Sequence, residues 1–527
     1  MIRRRFLIGA LLAVLFGIGW GVGRGRASGD LYSNLDTFIE VLHAVQTSYV
    51  DPVEPKSLIE GGMRGMLREL DPHSDYLDEQ AYANLRSTLD EQFDGVGVLV
   101  DMHEGYPVVV TPIEGSPAWE AGLLPGDVLT KIEGHSVFGL GLPEIGTRMR
   151  GDAGTRVHVT IVRPGEGDER ELTIERRRIE TRSVPYAFVM PGGVGYVRLS
   201  SYGAHAGEEL AAALDTLRTG GAHGLVLDLR GNPGGLVEQA VAVVQQFVPA
   251  GSMVVYTKGR LASASHKWLA GRARTPVAWP LAVLVDAGSA SAAEITAGAL
   301  QDLDRALVVG HDSFGKGTVQ DVFPLRNHEG ALKLTTAFYY TPSGRSLQRT
   351  SVARSDAGDD GGDDPSADSS TTDTAAAAPR AVFHTAAGRV VRGGGGIEPD
   401  LAVTPDSLPP LARALEAGRV AFKFASRPPA ASSDAWTAYR EFARAHGVAG
   451  SDAEFDRERA VIERGLAREQ ARRAQGAAAA ARLALADDAV YRRAAEVVGR
   501  ARSPREVFAL ASGGRPMTPP LPPAKVH

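Results

Sequence analysis

The chain has 527 residues, too many for a single hydrophobic core, so we expect several domains. Its 57 basic and 63 acidic residues give a net charge of −6, which argues against a nucleic-acid partner because such proteins use excess positive charge. The chain has no cysteine, which excludes disulfides and thiolate metal sites, and its 13 histidines show no ligand spacing, so we expect neither metal nor other cofactor.

The N-terminus carries a targeting pattern. Three arginines at positions 3–5 precede an uncharged apolar run over residues 6–22, which is typical of an export signal or a membrane anchor. A cleaved signal and a retained anchor both remain open, although Arg24 and Arg26 crowd the possible cleavage site at Ala27 and favour the anchor. We assign residues 1–29 to this segment and expect the protein on the periplasmic side, held to the inner membrane.

Two small regions follow. Residues 30–90 show apolar side chains at helical spacing and are predicted to be helical packing elements. Residues 91–178 alternate short strands, at about 95–100, 106–111, 126–135 and 157–162, with helices at about 116–122 and 142–149.

The segment Gly115–Leu129 resembles the signature of a PDZ domain. The resemblance implies that an extended peptide adds to a sheet edge while backbone N–H groups hold its terminal carboxylate. The best match to the carboxylate loop is Gly95, Val96, Gly97 and Val98, since glycines let the backbone approach an anion. The alternative is a β-domain that only packs against its neighbour.

From about residue 179 to 404 strands alternate with helices, which predicts a mainly parallel sheet with crossover helices. Strands are expected at about 195–199, 223–229, 281–286 and 305–310, and helices at about 206–219, 236–247 and 291–302. Ligands bind where such strands end, so the segments after the strands are candidates for a site.

Ser291 and Lys316 lie in two of these segments. A serine needs a neighbouring base to become a nucleophile, and lysine can serve if its pKa, ordinarily about 10.4, is lowered by an apolar environment such as Phe314, Val319 and Val322 would give. Ser289 lies on the same turn and competes for the nucleophilic role.

An acyl-transfer intermediate also needs N–H donors for its oxyanion. The glycine-rich segment Arg230–Gly235 follows a strand and could supply one donor at Gly234 or at Gly235. The N–H of Ala292 is the candidate for the second.

The remaining segments carry no chemistry that we can identify. Residues 351–378 are rich in Asp, Ser, Thr and Gly and are predicted to be disordered, residues 405–505 are predicted to be helical, and residues 506–527 form a Pro-rich tail. Gly310 to Lys316 is nearly a phosphate-binding loop, but Gly317 stands where that motif needs Ser or Thr.

Five motifs in order make the chain similar to the C-terminal processing peptidases, serine proteases with a Ser–Lys dyad. They are Leu70–Ser74, the PDZ segment, Leu229–Gly235, the serine segment and Phe314–Gln320, and the similarity extends from about Asp30 to Val403. It implies a catalytic core of the ClpP/crotonase type, Ser291 as nucleophile, Lys316 as base and Gln320 as the residue that orients the lysine. Ala293 replaces a serine that is common in the family, and we do not expect this change to abolish activity.

The sequence therefore predicts a multidomain α/β serine endopeptidase that recognises accessible protein C-termini through its PDZ domain. Its candidate partners are these substrates, an adaptor protein, a second copy of the chain, and the membrane through the N-terminal segment. The alternative is a non-catalytic envelope scaffold that binds peptide ends without cleaving them.

Overall fold

The computed structural model describes residues 32–113, 115–166, 168–271, 275–325, 330–349, 380–427 and 434–512. The proposed anchor segment (1–29), the acidic insert (351–378) and residues 513–527 of the tail lie outside these ranges. No helix within the ranges combines the length and the apolar character needed to cross a bilayer.

The N-terminal region is helical, as the apolar spacing predicts, with one short strand that the sequence analysis did not identify. Its elements are α1 (residues 32–48), α2 (Pro55–Arg68), β1 (Asp75–Leu77) and α3 (Glu79–Leu89). Pro55 occupies the first turn of α2, where a missing N–H costs nothing.

The next region is a small β-domain. Its elements are β2 (Gln92–Gly95), β3 (Val98–His103), β4 (Tyr106–Pro112), α4 (Pro117–Glu120), β5 (Val128–Ile132), β6 (His135–Ser136), α5 (Leu142–Met149), β7 (Arg156–Val162), β8 (Glu169–Glu175) and β9 (Arg177–Glu180). The sheet order is β3-β4-β5-β7-β8 with β6 on β5, so β3 is an edge strand, and β2 pairs separately with β9. The predicted strand at 95–100 is interrupted at Val96 and Gly97, which form a turn between β2 and β3.

The α/β core follows. Its elements are β10 (Tyr186–Met190), β11 (Val194–Arg198), α6 (Ala206–Thr219), β12 (Gly224–Asp228), α7 (Val237–Val244), β13 (Met253–Gly259), a 3₁₀ helix (Ala262–Ala264), β14 (Lys267–Leu269), β15 (Leu281–Val285), α8 (Ala292–Asp302), β16 (Leu307–Gly310), β17 (Thr318–Pro324), β18 (Ala331–Tyr340), β19 (Val382–His384), β20 (Val390–Arg392) and β21 (Leu401–Ala402).

The C-terminal region contains helices only. They are α9 (Pro410–Ala417), α10 (Val420–Ala425), α11 (Ala435–Ala445), α12 (Asp452–Gln475), α13 (Ala477–Asp487), α14 (Ala489–Arg500) and α15 (Glu506–Ala511). The last of these begins inside the segment that the sequence assigned to the Pro-rich tail, because the prolines are concentrated after residue 515.

The main sheet of the core has the order β10-β11-β12-β15-β16-β21. β10 is antiparallel to β11, and the other neighbours are parallel. Every residue of β12, β15 and β16 is buried, as expected for parallel strands covered on both faces. One face packs on α6, α7 and α8, and the other packs on the last three helices, α13, α14 and α15.

The chain divides into two compact units. The first contains the described residues up to Tyr82 together with Gln320–Thr335, and the second contains Ala83–Val319 and the chain from Thr336 onward. In the first unit, residues 331–333 of β18 pair antiparallel with β1. In the second, residues 337–340 pair with β13. The multidomain α/β fold class expected from sequence, with helical regions at both ends, is confirmed.

In the first unit, the carboxylate of Asp71 accepts four hydrogen bonds from residues in two segments of the chain. Asp71 Oδ1 accepts hydrogen bonds from the N–H groups of His73 and Ser74 and from the hydroxyl of Thr335. Asp71 Oδ2 accepts from the Ser74 hydroxyl at 2.6 Å. Burial opposes ionisation of Asp71, but the hydrogen bonds from Ser74, His73 and Thr335 outweigh it and lower the pKa of the carboxyl. The Gln320 side-chain amide donates to Thr335 Oγ1 at 3.2 Å.

Candidate active site

Three loops follow the carboxyl ends of three neighbouring parallel strands. The glycine-rich loop 229–235 follows β12, the serine turn 286–291 follows β15, and the lysine loop 311–317 follows β16. Parallel strands deliver such loops to one edge of the sheet, where open α/β folds place their ligands. The structure therefore brings together at one edge the three segments that the sequence singled out.

Ser291 has a strained backbone. It immediately precedes α8 and has φ 54° and ψ −115°, a conformation that non-glycine residues rarely adopt. A sharp strand-to-helix turn of this kind lifts a serine side chain above the sheet in the α/β-hydrolases. Ser291 is half-buried, whereas the residues of α8 behind it are all buried.

Ser289 is placed differently. It is completely buried, and its hydroxyl donates to the carbonyl of Leu229 at 2.8 Å while accepting from the N–H of Asp286 at 3.0 Å. The first bond holds the turn to the end of the neighbouring strand β12, and the second closes the turn on itself. The Ser289 hydroxyl therefore stabilises the turn, and Ser291 remains the candidate nucleophile.

Glu294 connects the serine turn with the lysine loop, and the sequence analysis missed it. Its buried Oε2 accepts from the backbone N–H of Ser291 at 2.9 Å and of Lys316 at 2.8 Å. Its Oε1 accepts from the N–H of Gly315 at 2.8 Å and from the hydroxyl of Ser313 at 2.5 Å. Since both N–H groups meet the same oxygen, the Ser291 and Lys316 nitrogens lie within about 6 Å of each other.

Burial raises the pKa of Glu294, although the hydrogen bonds from Ser313, Gly315, Ser291 and Lys316 oppose the shift. The three-residue spacing between Ser291 and Glu294 is that of a helix capping box, which was the signal available in the sequence. The N–H groups of Gly315 and Lys316 bind this carboxylate, and that of Gly317 binds the side-chain carbonyl of Gln348, so they are not arranged to hold a phosphate.

The lysine loop requires its two glycines. Gly315 has φ +91°, and a Cβ at Gly317 would lie 2.2 Å from the backbone nitrogen of Gln348. The segment after β18 borders the loop: Arg349 donates to the carbonyl of Ser313, and Gln348 accepts from the N–H of Gly317. Lys316 itself is half-buried. Phe314, which we expected to contribute to an apolar environment for the lysine, is 52 % exposed.

The glycine-rich loop touches the serine turn. A Cβ at Gly234 would lie 2.8 Å from Ser291 Cβ and 2.9 Å from the nitrogen of Ala292. The Gly234 N–H is occupied, because it donates to Asn232 Oδ1 at 2.8 Å. Within the part of the chain that the structure describes, the N–H of Gly235 donates to no acceptor. The geometry therefore favours Gly235 over Gly234 as the donor, beside Ala292, whose N–H at the helix start has no intrahelical acceptor.

Two further residues fix the glycine-rich loop to the serine turn. Asp286 Oδ1 accepts from the N–H of Gly231 at 2.7 Å and of Gly288 at 3.0 Å. The backbone carbonyl of the buried Asn232 accepts from the N–H of Ala290 at 2.9 Å. Sequence reasoning identified neither residue, since each acts across a gap of more than 50 positions.

The proposed carboxylate loop of the β-domain lies between β2 and the edge strand β3. Val96 is buried, and Gly97 has φ +75° with its carbonyl accepting from the Ser116 hydroxyl at 2.9 Å. A Cβ at Gly97 would lie 2.4 Å from Ser116 Cβ, which explains the glycine. Leu99, the second residue of β3, is exposed.

Gln320, the third residue of the proposed catalytic set, is the third residue of β17 and belongs to the first unit. Its side-chain amide donates to Thr335 Oγ1, as described above.

Comparison with known protein families gives three matches. Residues 193–355 match the model of peptidase family S41, residues 108–163 match a PDZ domain, and residues 24–81 match the N-terminal domain of the activating protease CtpB. The S41 match includes the serine turn, the glycine-rich loop and the lysine loop.

The chain is similar to curated bacterial proteins. The carboxy-terminal-processing protease of Bartonella bacilliformis is 41 % identical over 323 residues, which cover 60 % of this chain and 74 % of the relative. The carboxy-terminal processing protease CtpB of Bacillus subtilis is 35 % identical over 330 residues, covering 62 % and 68 %. Among solved structures, the photosystem II D1 C-terminal processing protease is 27 % identical, with a TM-score of 0.37 and coverage of 71 % of this chain and 93 % of that one.

Proposed function

Because the chain belongs to the carboxy-terminal processing proteases of peptidase family S41, we propose that it cleaves exported proteins near their C-termini with a Ser291–Lys316 dyad. The family and the serine-type peptidase class follow from the comparisons. The dyad rests on one observation above all: Glu294 Oε2 binds the backbone N–H of both residues. The strained turn at Ser291 supports the same assignment.

In the proposed mechanism, neutral Lys316 takes the proton of Ser291 as its Oγ attacks the peptide carbonyl. The N–H groups of Gly235 and Ala292 stabilise the oxyanion of the tetrahedral intermediate. The protonated lysine then gives its proton to the leaving amine, and water releases the acyl group. Gln320 keeps the orienting role that the family motif implies.

The substrate enters through the PDZ domain in this proposal. An extended C-terminal segment adds to the edge strand β3, and the turn at Gly95–Val98 holds the terminal carboxylate. Residues 91–178 thus capture the substrate, and residues 179–404 cleave it. Residues 1–29 direct the protein across the cytoplasmic membrane, so the substrates are proteins of the cell envelope.

The test measures cleavage of an unstructured peptide with a free apolar C-terminus. Ser291→Ala and Lys316→Ala should each reduce kcat at least about 10³-fold with the unfolding transition retained. Lys267→Ala, an exposed lysine on β14, is the matched control and should cleave normally. Turnover retained in either dyad variant refutes the mechanism, and peptide binding without turnover by the wild type favours the scaffold.

A further inference from the structure

The last three helices, α13, α14 and α15, pack on one face of the main sheet. Val490, Ala494, Val497 and Val498 of α14 are buried in one cluster with apolar side chains of the central strands β11, β12 and β15. A Cβ at Gly224, the first residue of β12, would lie 2.4 Å from Val498 Cγ1. Helix α14 therefore packs directly on the strand that leads into the glycine-rich loop.

The carboxyl end of β12 carries a buried charge cluster. Asp228, which is 2 % exposed, pairs with Arg230 at 2.7 Å and with Arg198 at 3.2 Å. Burial opposes ionisation of Asp228, but Arg230 and Arg198 outweigh it and keep the pKa of the carboxyl low. One buried carboxylate thus faces two guanidinium groups.

The second negative charge comes from the C-terminal region. Asp488, the residue before α14, lies 2.6 Å from Arg230 Nη2, and both side chains are mostly buried. Among the described residues, Asp228 and Asp488 are the carboxylates paired with these two arginines. Asp488 makes the cluster neutral, which matters because an uncompensated charge at a site of low dielectric is costly.

An aromatic contact supports the same junction. The Tyr196 hydroxyl donates to Asp228 Oδ2 at 2.9 Å, and the ring of Tyr491 on α14 meets the Tyr196 ring edge-on with centroids 5.7 Å apart. Two contacts therefore connect the start of α14 with the Asp228–Arg230 pair. One is the ion pair between Asp488 and Arg230, and the other is the ring contact of Tyr491 with Tyr196.

Arg230 lies near the start of the glycine-rich loop, which ends at the proposed oxyanion donor Gly235. Its backbone N–H and its Nε both donate to Asp228 Oδ1 at 3.0 Å, so the side chain and the main chain at this position are fixed together. Four residues later, Gly234 packs against Ser291. A shift of Arg230 displaces the start of the segment that carries the Gly235 N–H.

We propose that Asp488 is a positioning residue for catalysis: through its ion pair with Arg230, the C-terminal helical region fixes the glycine-rich loop, which carries the proposed oxyanion donor Gly235. The inference rests on the proposed function, because it assigns a reason for the loop to be held in place. It gives the C-terminal region, in which the sequence showed no chemistry, a part in the active site.

The experiment compares Asp488→Asn with Asp488→Ala in the full chain. Asp488 also accepts from the Tyr491 N–H as the cap of α14, a role that asparagine keeps and alanine loses. We expect both variants to lower kcat by the same factor, roughly 3- to 10-fold, because both remove the charge, with KM unchanged. Only the alanine variant should lower Tm. Labelling by a serine-directed phosphonate, whose adduct also needs the oxyanion donors, should slow by the same factor.

The control is Asp406→Asn, which removes an exposed ion pair between Asp406 and Arg492 of the same helix. It should leave kcat, labelling rate and Tm unchanged. Wild-type kcat in Asp488→Asn, or a loss of kcat that appears only where Tm falls, overturns the positioning role. A wild-type protein that neither cleaves the peptide nor reacts with the phosphonate overturns the proposed function instead, so the two failures are distinguishable.

Discussion

Glu294 is the residue at which the active-site geometry can be tested most directly. Alanine at this position leaves four donors without their acceptor: the N–H groups of Ser291, Gly315 and Lys316, and the Ser313 hydroxyl. A buried unsatisfied donor costs about 1–3 kcal/mol, so the total of about 4–12 kcal/mol approaches the whole stability of a domain. We expect Glu294→Ala to lose both turnover and a cooperative unfolding transition of the core.

We expect Glu294→Gln to destabilise the protein less than Glu294→Ala, because glutamine keeps one carbonyl oxygen. If its amide nitrogen takes the Oε1 position, the Ser313 hydroxyl can accept from it as it already does from the Ile397 N–H, but the Gly315 N–H and the Ser313 O–H both lose their acceptor. The retained oxygen still binds the N–H groups of Ser291 and Lys316. We therefore expect Glu294→Gln to lower the free energy of unfolding by about 2–6 kcal/mol, about half the cost of alanine, and to retain measurable turnover.

Urea unfolding and peptide cleavage, measured side by side at neutral pH, give both quantities. The matched control is Glu454→Ala, which removes the acidic residue of an exposed capping box at the start of α12 and should cost no more than about 1 kcal/mol. If Glu294→Ala proved as stable and as active as Glu454→Ala, the idea that one carboxylate holds the serine turn and the lysine loop together would be wrong.

Three other substitutions probe the remaining contacts. Gly234→Ala places a Cβ against backbone atoms of the serine turn and should reduce kcat at least about 100-fold, whereas Gly221→Ala, which has positive φ but open space, should leave kcat unchanged. Ser289→Ala should cost about 1–3 kcal/mol of stability by orphaning the Asp286 N–H, yet leave Ser291 reactive towards the phosphonate, so loss of labelling in a folded variant would contradict the structural role. The lowered pKa of Asp71 means that its carboxylate stabilises the fold above the usual Asp pKa of 3.8 and that this contribution disappears as pH falls through the lowered value. Asp71→Asn should therefore be less stable than wild type at pH 7 in urea titrations and equal to it at low pH, and a difference independent of pH would exclude this linkage.

The parts of the fold that the sequence predicted share a clear apolar pattern, as in the buried parallel strands of the core, the helices, and the antiparallel strands β4 and β7. β12, β15 and β16 are continuous apolar runs, and α5, α6 and α8 lie within one residue of their predicted bounds. The strands β13, β14, β17 and β18 were missed because their burial does not follow a simple alternation, and their pairing joins segments far apart in the chain. Local periodicity carries no information about such partners.

The same distinction holds within the active site. Ser291 and the glycine-rich loop could be identified because each follows a recognisable strand, and a family motif marked Lys316. Glu294 was hidden because its partners Ser313, Gly315 and Lys316 lie about 20 residues further along the chain. The contact between Asp488 and Arg230, more than 250 residues apart, has no sequence signal that we can identify. A residue that contacts the site from a distant part of the chain can be identified only from the tertiary structure.

Helix α8 is buried along its entire length, from Ala292 to Asp302. It has no solvent-facing side, and a Cβ at Gly298 would come within 2.9 Å of both Ile397 and Thr341. Its backbone amides should accordingly exchange with deuterium among the slowest in the protein, through global rather than local opening. We therefore expect a conformational change that regulates cleavage to act on the loops around the N-terminal end of α8 without unfolding the helix itself.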